Sequence, residues 1–180
     1  MKNVLIISSS LRNKSNTEYV AREIEKGVRD AGNNVEFISL KDKDIKFCKG
    51  CLACQKTQKC VIKDDANEIV EKVKNADTLI FATPIYYYEM SGQLKTLLDR
   101  CNPLFVQDYK FRDVYLVTAS DDDTDFAYEN AVNGLKGWIA CFEKSRFGGV
   151  FSAGGMNDPE EVKQNDKMLN DAYSFGNKIK

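Results

Sequence analysis

The sequence of 180 residues contains no histidine. This absence excludes imidazole general bases, serine or cysteine nucleophiles activated by histidine, and every histidine-ligated metal site. Proline is scarce, with 3 residues, and the 11 glycines form no low-complexity stretch, so disorder is not expected. No apolar run approaches the roughly 18 residues of a membrane span, and Val4–Ile7 is too short for a signal peptide. We therefore expect a cytoplasmic protein with no membrane partner.

Neither sign of charge is in excess, because 26 Lys and Arg residues stand against 27 Asp and Glu residues. A net charge of −1 implies no strongly basic surface, so nucleic acid is not an expected partner. The apolar fraction of 43% and the charged fraction of 29% are typical of a folded globular domain. The length suffices for one sheet covered on both faces, and we predict a single domain over residues 1–180.

Short apolar runs alternate with stretches of helical periodicity along the whole chain. The predicted strands are Val4–Ile7, Val35–Ser39, Thr78–Ala82 (ended by Pro84), Val114–Val117 and a run centred on Gly149–Phe151; the predicted helices cover about 15–31, 65–76, 91–100, 125–142 and a carboxy-terminal stretch around 168–175. Strands that are continuously apolar are buried on both faces, as in parallel sheets. The pattern predicts an α/β fold, a doubly wound five-stranded parallel sheet of order 2-1-3-4-5 with helices on both faces.

The loop after the first strand carries hydroxyl, amide and cationic side chains and leads into a capped helix. Its candidate phosphate-binding residues are Ser8, Ser10, Arg12, Ser15, Asn16 and Thr17. In a sheet of this order, ligands bind at the carboxyl ends of strands 1 and 3, and a helix amino terminus favours an anion. The dinucleotide and Walker glycine motifs are absent. The alternative is a polar loop that only caps its helix.

Two further loops end at the same edge of the predicted sheet. After strand 3, Pro84, Ile85, Tyr86, Tyr87 and Tyr88 make an aromatic wall that can flank a planar ring, or simply a packed strand end. After strand 4, the segment Thr118, Ala119 and Ser120 offers backbone donors to a ring edge, and the aspartates that follow suit a helix cap.

Four of the six cysteines are crowded into a loop at about 46–62, within an irregular stretch too long for an ordinary connection. Cys48, Cys51, Cys54 and Cys60 follow the pattern C-x2-C-x2-C-x5-C. In a reducing compartment such a run indicates a metal site or redox thiols rather than disulfides. Four thiolates at this density suit a [4Fe–4S] cluster. Zinc, a redox dithiol and metal-free thiols remain alternatives.

Taken together, these segments resemble the NAD(P)H-dependent FMN reductase family, and more narrowly its iron–sulfur flavoprotein branch. The family's G-S-P-R-x-x-[GS]-N-T loop is matched by Ser9–Thr17, with departures at Ser9 and Leu11. The motifs [ST]-P-x-Y and x-x-L-K-x-x-x-D-R are matched by Thr83–Tyr86 and Gln93–Arg100. A cysteine run followed by two aspartates is also similar to family members.

The resemblance implies a flavodoxin-like fold with bound FMN. The first loop would hold the phosphate through Ser10, Arg12, Ser15, Asn16 and Thr17, while Pro84–Tyr88 and Thr118–Ser120 would border the isoalloxazine ring. NAD(P)H would be the transient electron donor, and the cysteines would hold the cluster. Because the flavin carries the electrons, no residue is predicted to act as a catalytic acid or base.

The implied activity is transfer of electrons from NAD(P)H or a protein donor to a quinone, a nitro or azo compound, free flavin or a protein acceptor. One alternative is an electron carrier without a small-molecule substrate, and another is a non-enzymatic module that binds zinc. A flavin rimmed by Tyr86–Tyr88 is open on one side, which predicts a homodimer or tetramer whose neighbouring subunit closes the site.

Overall fold

An open parallel sheet lies between two layers of helices in the computed structural model, which describes residues 1–179. The strands are β1 (Asn3–Ser8), β2 (Asn34–Ser39), β3 (Thr78–Tyr86), β4 (Glu89–Met90), β5 (Asp113–Ala119) and β6 (Arg146–Ala153). The helices are α1 (Asn16–Asp30), α2 (Ala53–Thr57), α3 (Ala66–Asn75), α4 (Gly92–Arg100), α5 (Phe126–Ile139) and α6 (Asp166–Asn177), with 3-10 turns at Asn102–Val106 and Glu161–Gln164. None of the helices within residues 1–179 has both the length and the apolar character to cross a membrane.

The sheet has the strand order β2-β1-β3-β5-β6, and these five strands are parallel. The predicted strands 4 and 5 are β5 and β6, so the predicted doubly wound order 2-1-3-4-5 is confirmed. The order reverses between β1 and β3, which places their carboxyl ends beside each other at the edge where ligands bind in this class of sheet.

The prediction that Pro84 ends the third strand is wrong. Strand β3 continues to Tyr86 and turns back into the antiparallel strand β4, with Tyr86 opposite Glu89. Pro84 lies opposite Ala119, the last residue pair between β3 and β5. Proline has no N–H to donate, but because the ladder ends here, no later hydrogen bond of the ladder is interrupted. The short helix α2, inside the cysteine loop, was also not predicted.

Helix α1 is held unusually close to α6, and this fixes where its amino terminus lies. A Cβ atom added to Gly27 would stand 2.1 Å from the carbonyl oxygen of Tyr173, and one added to Gly176 would stand 2.2 Å from that of Ile24. Only glycine permits backbones to approach so closely. The crossing seats α1 on one face of the sheet, over Val4 and Ile6 of β1, with its amino terminus at the carboxyl edge.

Candidate functional site

A polar cleft of about 270 Å³ opens at the carboxyl edge of the sheet, where three predicted loops meet. The predicted residues that line it are Ser10, Arg12, Ser15, Asn16, Thr17, Pro84, Ile85, Tyr86, Ala119 and Ser120. Ser8 and Thr118 are fully buried at the strand ends and do not line it, nor do Tyr87 and Tyr88. The structure therefore brings the three loops together around one space.

The first loop brings polar side chains to the point where α1 begins. Ser15 caps the helix, since its Oγ accepts from the Glu18 N–H at 3.3 Å. Thr17 lies in the first turn of the helix, lines the cleft and is only 2% exposed. The Ser8 hydroxyl, at the end of β1, is buried without a partner beneath the cleft lining. Backbone N–H groups at a positive helix end, together with the hydroxyls that line the cleft, suit a phosphate, so this end of the cleft fits the phosphate of FMN.

The side chain of Asn16 has a different task from the one predicted. Its Nδ2 donates to the Asp158 carbonyl at 2.8 Å, and its Oδ1 accepts from the Val162 N–H at 3.2 Å. Both polar ends of the amide are therefore engaged within the chain. Asn16 positions the segment after β6, and only its backbone N–H remains for an anion.

The segment after β6 was missed by sequence reasoning, although it borders the cleft. Asn157 and Met156 line the cleft together with Asp121. Arg12 fastens this segment to the first loop, because its Nη1 donates to the Asn157 carbonyl at 2.8 Å. The available signal was topological: β6 is parallel to the other strands, so the chain that leaves it starts at the same edge.

Glu160 links the segment after β6 to the first loop through an ion pair with Lys14. Its carboxylate accepts from Lys14 at 2.8 Å, from Lys163 at 2.7 Å and from the Tyr19 hydroxyl at 2.8 Å. These hydrogen bonds, that of Lys14 first, lower the pKa of Glu160 to about 2. The carboxylate thus stays ionised at neutral pH and continues to hold Lys14.

The predicted aromatic wall is divided by a tight turn. Tyr87 and Tyr88 form the two-residue connection between β3 and β4, with φ values of 51° and 62°, a left-handed conformation that is uncommon for large side chains. Tyr88 packs against Phe126 with ring centroids 4.9 Å apart, and Tyr87 is fully exposed. Of the three tyrosines, Tyr86 alone lines the cleft.

A buried hydrogen-bond network joins the first loop to the second. The hydroxyls of Ser9 and Ser91 are 2.9 Å apart, and the Ser91 N–H donates to Thr83 Oγ1 at 2.9 Å. The Ser9 hydroxyl also lies 3.1 Å from the Ala82 carbonyl. The serine that departs from the family's glycine is therefore used to fix the two loops at a set spacing.

The cysteine segment is fixed at its two ends by a buried ion pair between Arg100 and Asp64, whose side chains are both 0% exposed. Arg100 donates to the Lys46 carbonyl at 2.8 Å and to the Ile62 carbonyl at 3.4 Å, just outside the first and last cysteines. Asp64 accepts from Arg100 Nη2 at 2.9 Å and from the Lys46 N–H at 2.9 Å.

The charge state of this pair follows from its contacts. Burial would raise the pKa of Asp64, but the hydrogen bonds from Arg100 and the Lys46 N–H, with the Arg100 charge, outweigh burial and lower the pKa. The Nε of Arg100 is buried without a partner, and Cys60 lies beside the guanidinium. Both members of the pair therefore stay ionised, and the guanidinium of Arg100 lies next to the last cysteine of the run.

Between these ends the thiols are not gathered. Cys48 and Cys51 are exposed and Cys60 is half-buried, while Cys54 is buried and its Sγ accepts from Asn102 Nδ2 at 3.0 Å. Within residues 1–179 no three cysteine, aspartate or glutamate side chains form a group that would hold a metal ion. The donor types suit a cluster, but this arrangement of them does not fit one, and we assign no step to it.

Comparison with known proteins decides the family. The sequence model of the NADPH-dependent FMN reductases matches residues 2–153, which include all three loops and the cysteine segment. The chain belongs to this family. The resemblance found in the motifs is thereby confirmed.

Relatives and solved structures agree with the assignment. An iron–sulfur flavoprotein of Methanocaldococcus jannaschii is 44% identical over 101 residues, covering 56% of this chain and 52% of the relative. One of Methanosarcina thermophila is 28% identical over 151 residues, covering 80% and 79%. The NAD(P)H:quinone oxidoreductase of Methanothermobacter marburgensis superposes with a TM-score of 0.70 at 16% identity, covering 99% of both chains, which supports the flavodoxin-like fold. The chain spans about half the length of most of the curated relatives it matches.

Proposed function

We propose that the chain is an FMN-dependent oxidoreductase that takes electrons from NAD(P)H and reduces a small-molecule acceptor or a redox protein. The observation that carries this proposal is the composition of the cleft. One end has the hydroxyl side chains of Ser10 and Thr17 at the start of α1, and the other has Pro84 and the half-exposed Tyr86. One end of the cleft thus suits a phosphate and the other suits a flat ring, and FMN carries these two groups at its opposite ends.

The chain's own residues bind and orient the cofactor in this proposal. Ser10, Arg12, Ser15, Thr17 and the backbone of Asn16 hold the phosphate. Pro84, Ile85, Tyr86, Ala119 and Ser120 border the ring, Ser8 and Thr118 support the strand ends beneath it, and Tyr87 and Tyr88 shape the outer rim. When bound, FMN would supply the hydride-accepting chemistry, so the chain itself would need no side-chain acid or base.

The visible spectrum of protein purified without oxygen tests the proposal directly. We expect flavin absorption bands, or their appearance with quenched fluorescence when FMN is added to the apoprotein. Oxidation of NADH and NADPH is then followed with and without menadione. Protein that neither carries nor takes up FMN contradicts the proposal.

An electron carrier is the second candidate, supported by the same cleft. A carrier would be reduced by a partner protein or dithionite but would not turn over NAD(P)H with a quinone. Steady-state NAD(P)H oxidation that depends on menadione favours the reductase, and its absence in FMN-loaded protein favours the carrier.

A [4Fe–4S] cluster held by Cys48, Cys51, Cys54 and Cys60 is a further proposal, supported by the cysteine spacing and by relatives named iron–sulfur flavoproteins. It requires Cys54 to leave Asn102 and the exposed thiols to converge. About four iron and four sulfide per chain in anaerobic protein would support it. Iron-free protein that resists anaerobic reconstitution would contradict it.

We also propose a homodimer or tetramer in which a neighbouring subunit covers the rim of the cleft. Tyr86, Tyr88 and Phe126 are each more than two-fifths exposed and Tyr87 is completely exposed, which leaves an apolar surface beside the ring. Light scattering at several concentrations tests this. A monomer that retains FMN at every concentration contradicts it.

A further inference from the structure

The charged side chains of the cleft are unevenly distributed between its two ends. Its lining contains two of them, Arg12 and Asp121. Arg12 belongs to the first loop, at the end proposed for the phosphate, and its Nη1 donates to the Asn157 carbonyl at 2.8 Å. The position of Asp121 therefore decides which charge the other end presents to a flavin ring.

The backbone places Asp121 at the ring end of the cleft. Ala119, two residues earlier, lies opposite Pro84 in the last residue pair between β5 and β3, and both are proposed to border the ring. The Asp121 carbonyl accepts from the Gly155 N–H at 3.1 Å, which fixes this backbone against the segment after β6. The side chain of Asp121 is exposed and lines the cleft. Its carboxylate is therefore beside the residues proposed for the ring.

Asp122 adds a second negative charge at the outer rim. Its carboxylate accepts from the Thr124 N–H at 2.8 Å and from the Thr124 hydroxyl at 2.7 Å. These two hydrogen bonds, with a smaller contribution from one with Tyr88, lower the pKa of Asp122. The carboxylate is therefore ionised at neutral pH, next to a tyrosine of the rim.

No cation of these loops offsets the two charges. The loops at the ring end, residues 84–93 and 118–130, contain no lysine or arginine. Their carboxylates are Glu89, Asp121, Asp122, Asp123, Asp125 and Glu129. Within residues 1–179 none of these carboxylates forms an ion pair with a lysine or arginine. The ring end of the cleft therefore has a negative electrostatic potential, opposite in sign to the charge of Arg12 at the phosphate end.

We propose that Asp121 makes reduced FMN bind more weakly than oxidised FMN, so that bound FMN is a stronger reductant than free FMN. The inference rests on the proposed function and adds to it a residue that sets the reduction potential of the flavin. A hydride from NAD(P)H brings two electrons and one proton to a neutral isoalloxazine, which leaves one negative charge on the ring until solvent supplies a second proton. A carboxylate beside the ring opposes that charge, whereas it has little effect on the neutral oxidised ring.

Removal of the charge with little change of shape is the first test. Asp121→Asn should lower the ratio of the Kd for reduced FMN to the Kd for oxidised FMN roughly tenfold. The two-electron midpoint potential of the bound flavin, measured without oxygen against a reference dye, should therefore rise by about 30 mV. Asp121→Glu keeps the charge and should keep the potential of the parent.

A neighbouring aspartate provides the matched control. Asp123 is exposed and unpaired in the same loop but does not line the cleft, so Asp123→Asn removes the same charge at a greater distance from the ring. The ratio of the two Kd values in this variant should stay within about twofold of the parent.

Salt is the second test, because an exposed carboxylate is screened by dissolved ions. The difference in potential between the parent and Asp121→Asn should shrink when the ionic strength rises from about 0.1 to about 1 M. A difference that came from altered packing around the flavin would not depend on salt.

The outcomes separate this inference from the proposed function. If FMN-loaded Asp121→Asn keeps the potential of the parent, or if Asp123→Asn shifts it equally, the role of Asp121 is overturned and the reductase stands. Equal changes in the affinities for oxidised and reduced FMN, or a shift that salt does not reduce, overturn the role as well. Protein that takes up no FMN overturns the proposed function, and this inference with it.

Discussion

The cleft and the cysteine segment differ in how their residues are held in place. The cleft is built from loops that end at one sheet edge and are tied to one another by buried side chains, such as Ser9 with Ser91 and Asn16 with Val162. The cysteine segment lies outside the sheet and is held at its ends by Arg100 and in its middle by the contact of Asn102 with Cys54, while Cys48 and Cys51 face solvent. The cleft is thus formed before any ligand arrives, whereas the thiols have room to rearrange around one.

The largest expected effect comes from the ion pair that holds the segment. Asp64→Ala leaves Arg100 charged and buried without its partner, so we expect about 3–5 kcal/mol less free energy of unfolding. Urea unfolding of the apoprotein measures the loss. The exposed pair Lys167–Asp171 is the control, and Asp171→Ala should cost about 0.3–0.5 kcal/mol. Equal losses in the two variants would mean that the buried pair does not hold the segment.

Acid should weaken the same pair. The pKa of Asp64 in the folded chain is below its ordinary value, and an unfolded aspartate titrates near about 3.9. A lowered pKa stabilises the fold fully above the unfolded value, and this stabilisation is lost as pH falls through the folded value. The parent protein should therefore lose more stability than Asp64→Ala when pH is lowered from 5 to about 3. Parallel pH profiles would contradict this.

The next effect concerns the cleft. Thr17→Ala removes the hydroxyl of a cleft-lining residue that we place on the FMN phosphate, and a hydrogen bond to a charged group is worth about 1.5–3 kcal/mol. FMN should bind roughly 10- to 150-fold more weakly by fluorescence titration. Thr17→Ser keeps the hydroxyl and should retain most of the affinity. Unchanged affinity in Thr17→Ala would remove this residue from the phosphate site.

Helix placement gives a smaller effect. Gly27→Ala forces α1 away from Tyr173 in α6, and overpacking of this kind costs about 1–3 kcal/mol. Because α1 carries the first loop, FMN affinity should fall as well. Gly137→Ala, where a Cβ meets nothing within 4 Å, should instead gain about 0.5–1 kcal/mol. If both variants unfold alike, the close crossing does not position the loop.

The smallest effect tests whether the cysteine segment and the cleft are independent of each other. Cys51 is exposed and does not line the cleft at the carboxyl edge of the sheet. Cys51→Ser should therefore change the free energy of unfolding by less than about 0.5 kcal/mol. FMN affinity should be unchanged in a fluorescence titration. A loss of FMN affinity would show that the cysteine segment supports the cleft.

The sheet and the cleft were predictable because both follow from strand ends. Apolar runs placed β1, β3 and β5, and parallel strands bring Ser10, Pro84 and Ser120 to one edge. The tyrosine turn was not predictable, since Tyr87 and Tyr88 lack the glycine or asparagine that marks such turns. The role of Asn16 depends on Val162, a contact over 146 positions that no local pattern indicates.

The buried pair of Arg100 and Asp64 has a consequence for the length of the cysteine segment. The hydrogen bonds of Arg100 to the carbonyls of Lys46 and Ile62 hold the two ends of the segment close together, whatever the number of residues between them. Lengthening such a loop costs only about 0.6 kcal/mol for each doubling, because closure entropy grows slowly. Additional residues can therefore be accommodated in this segment at little cost while the cleft keeps its shape.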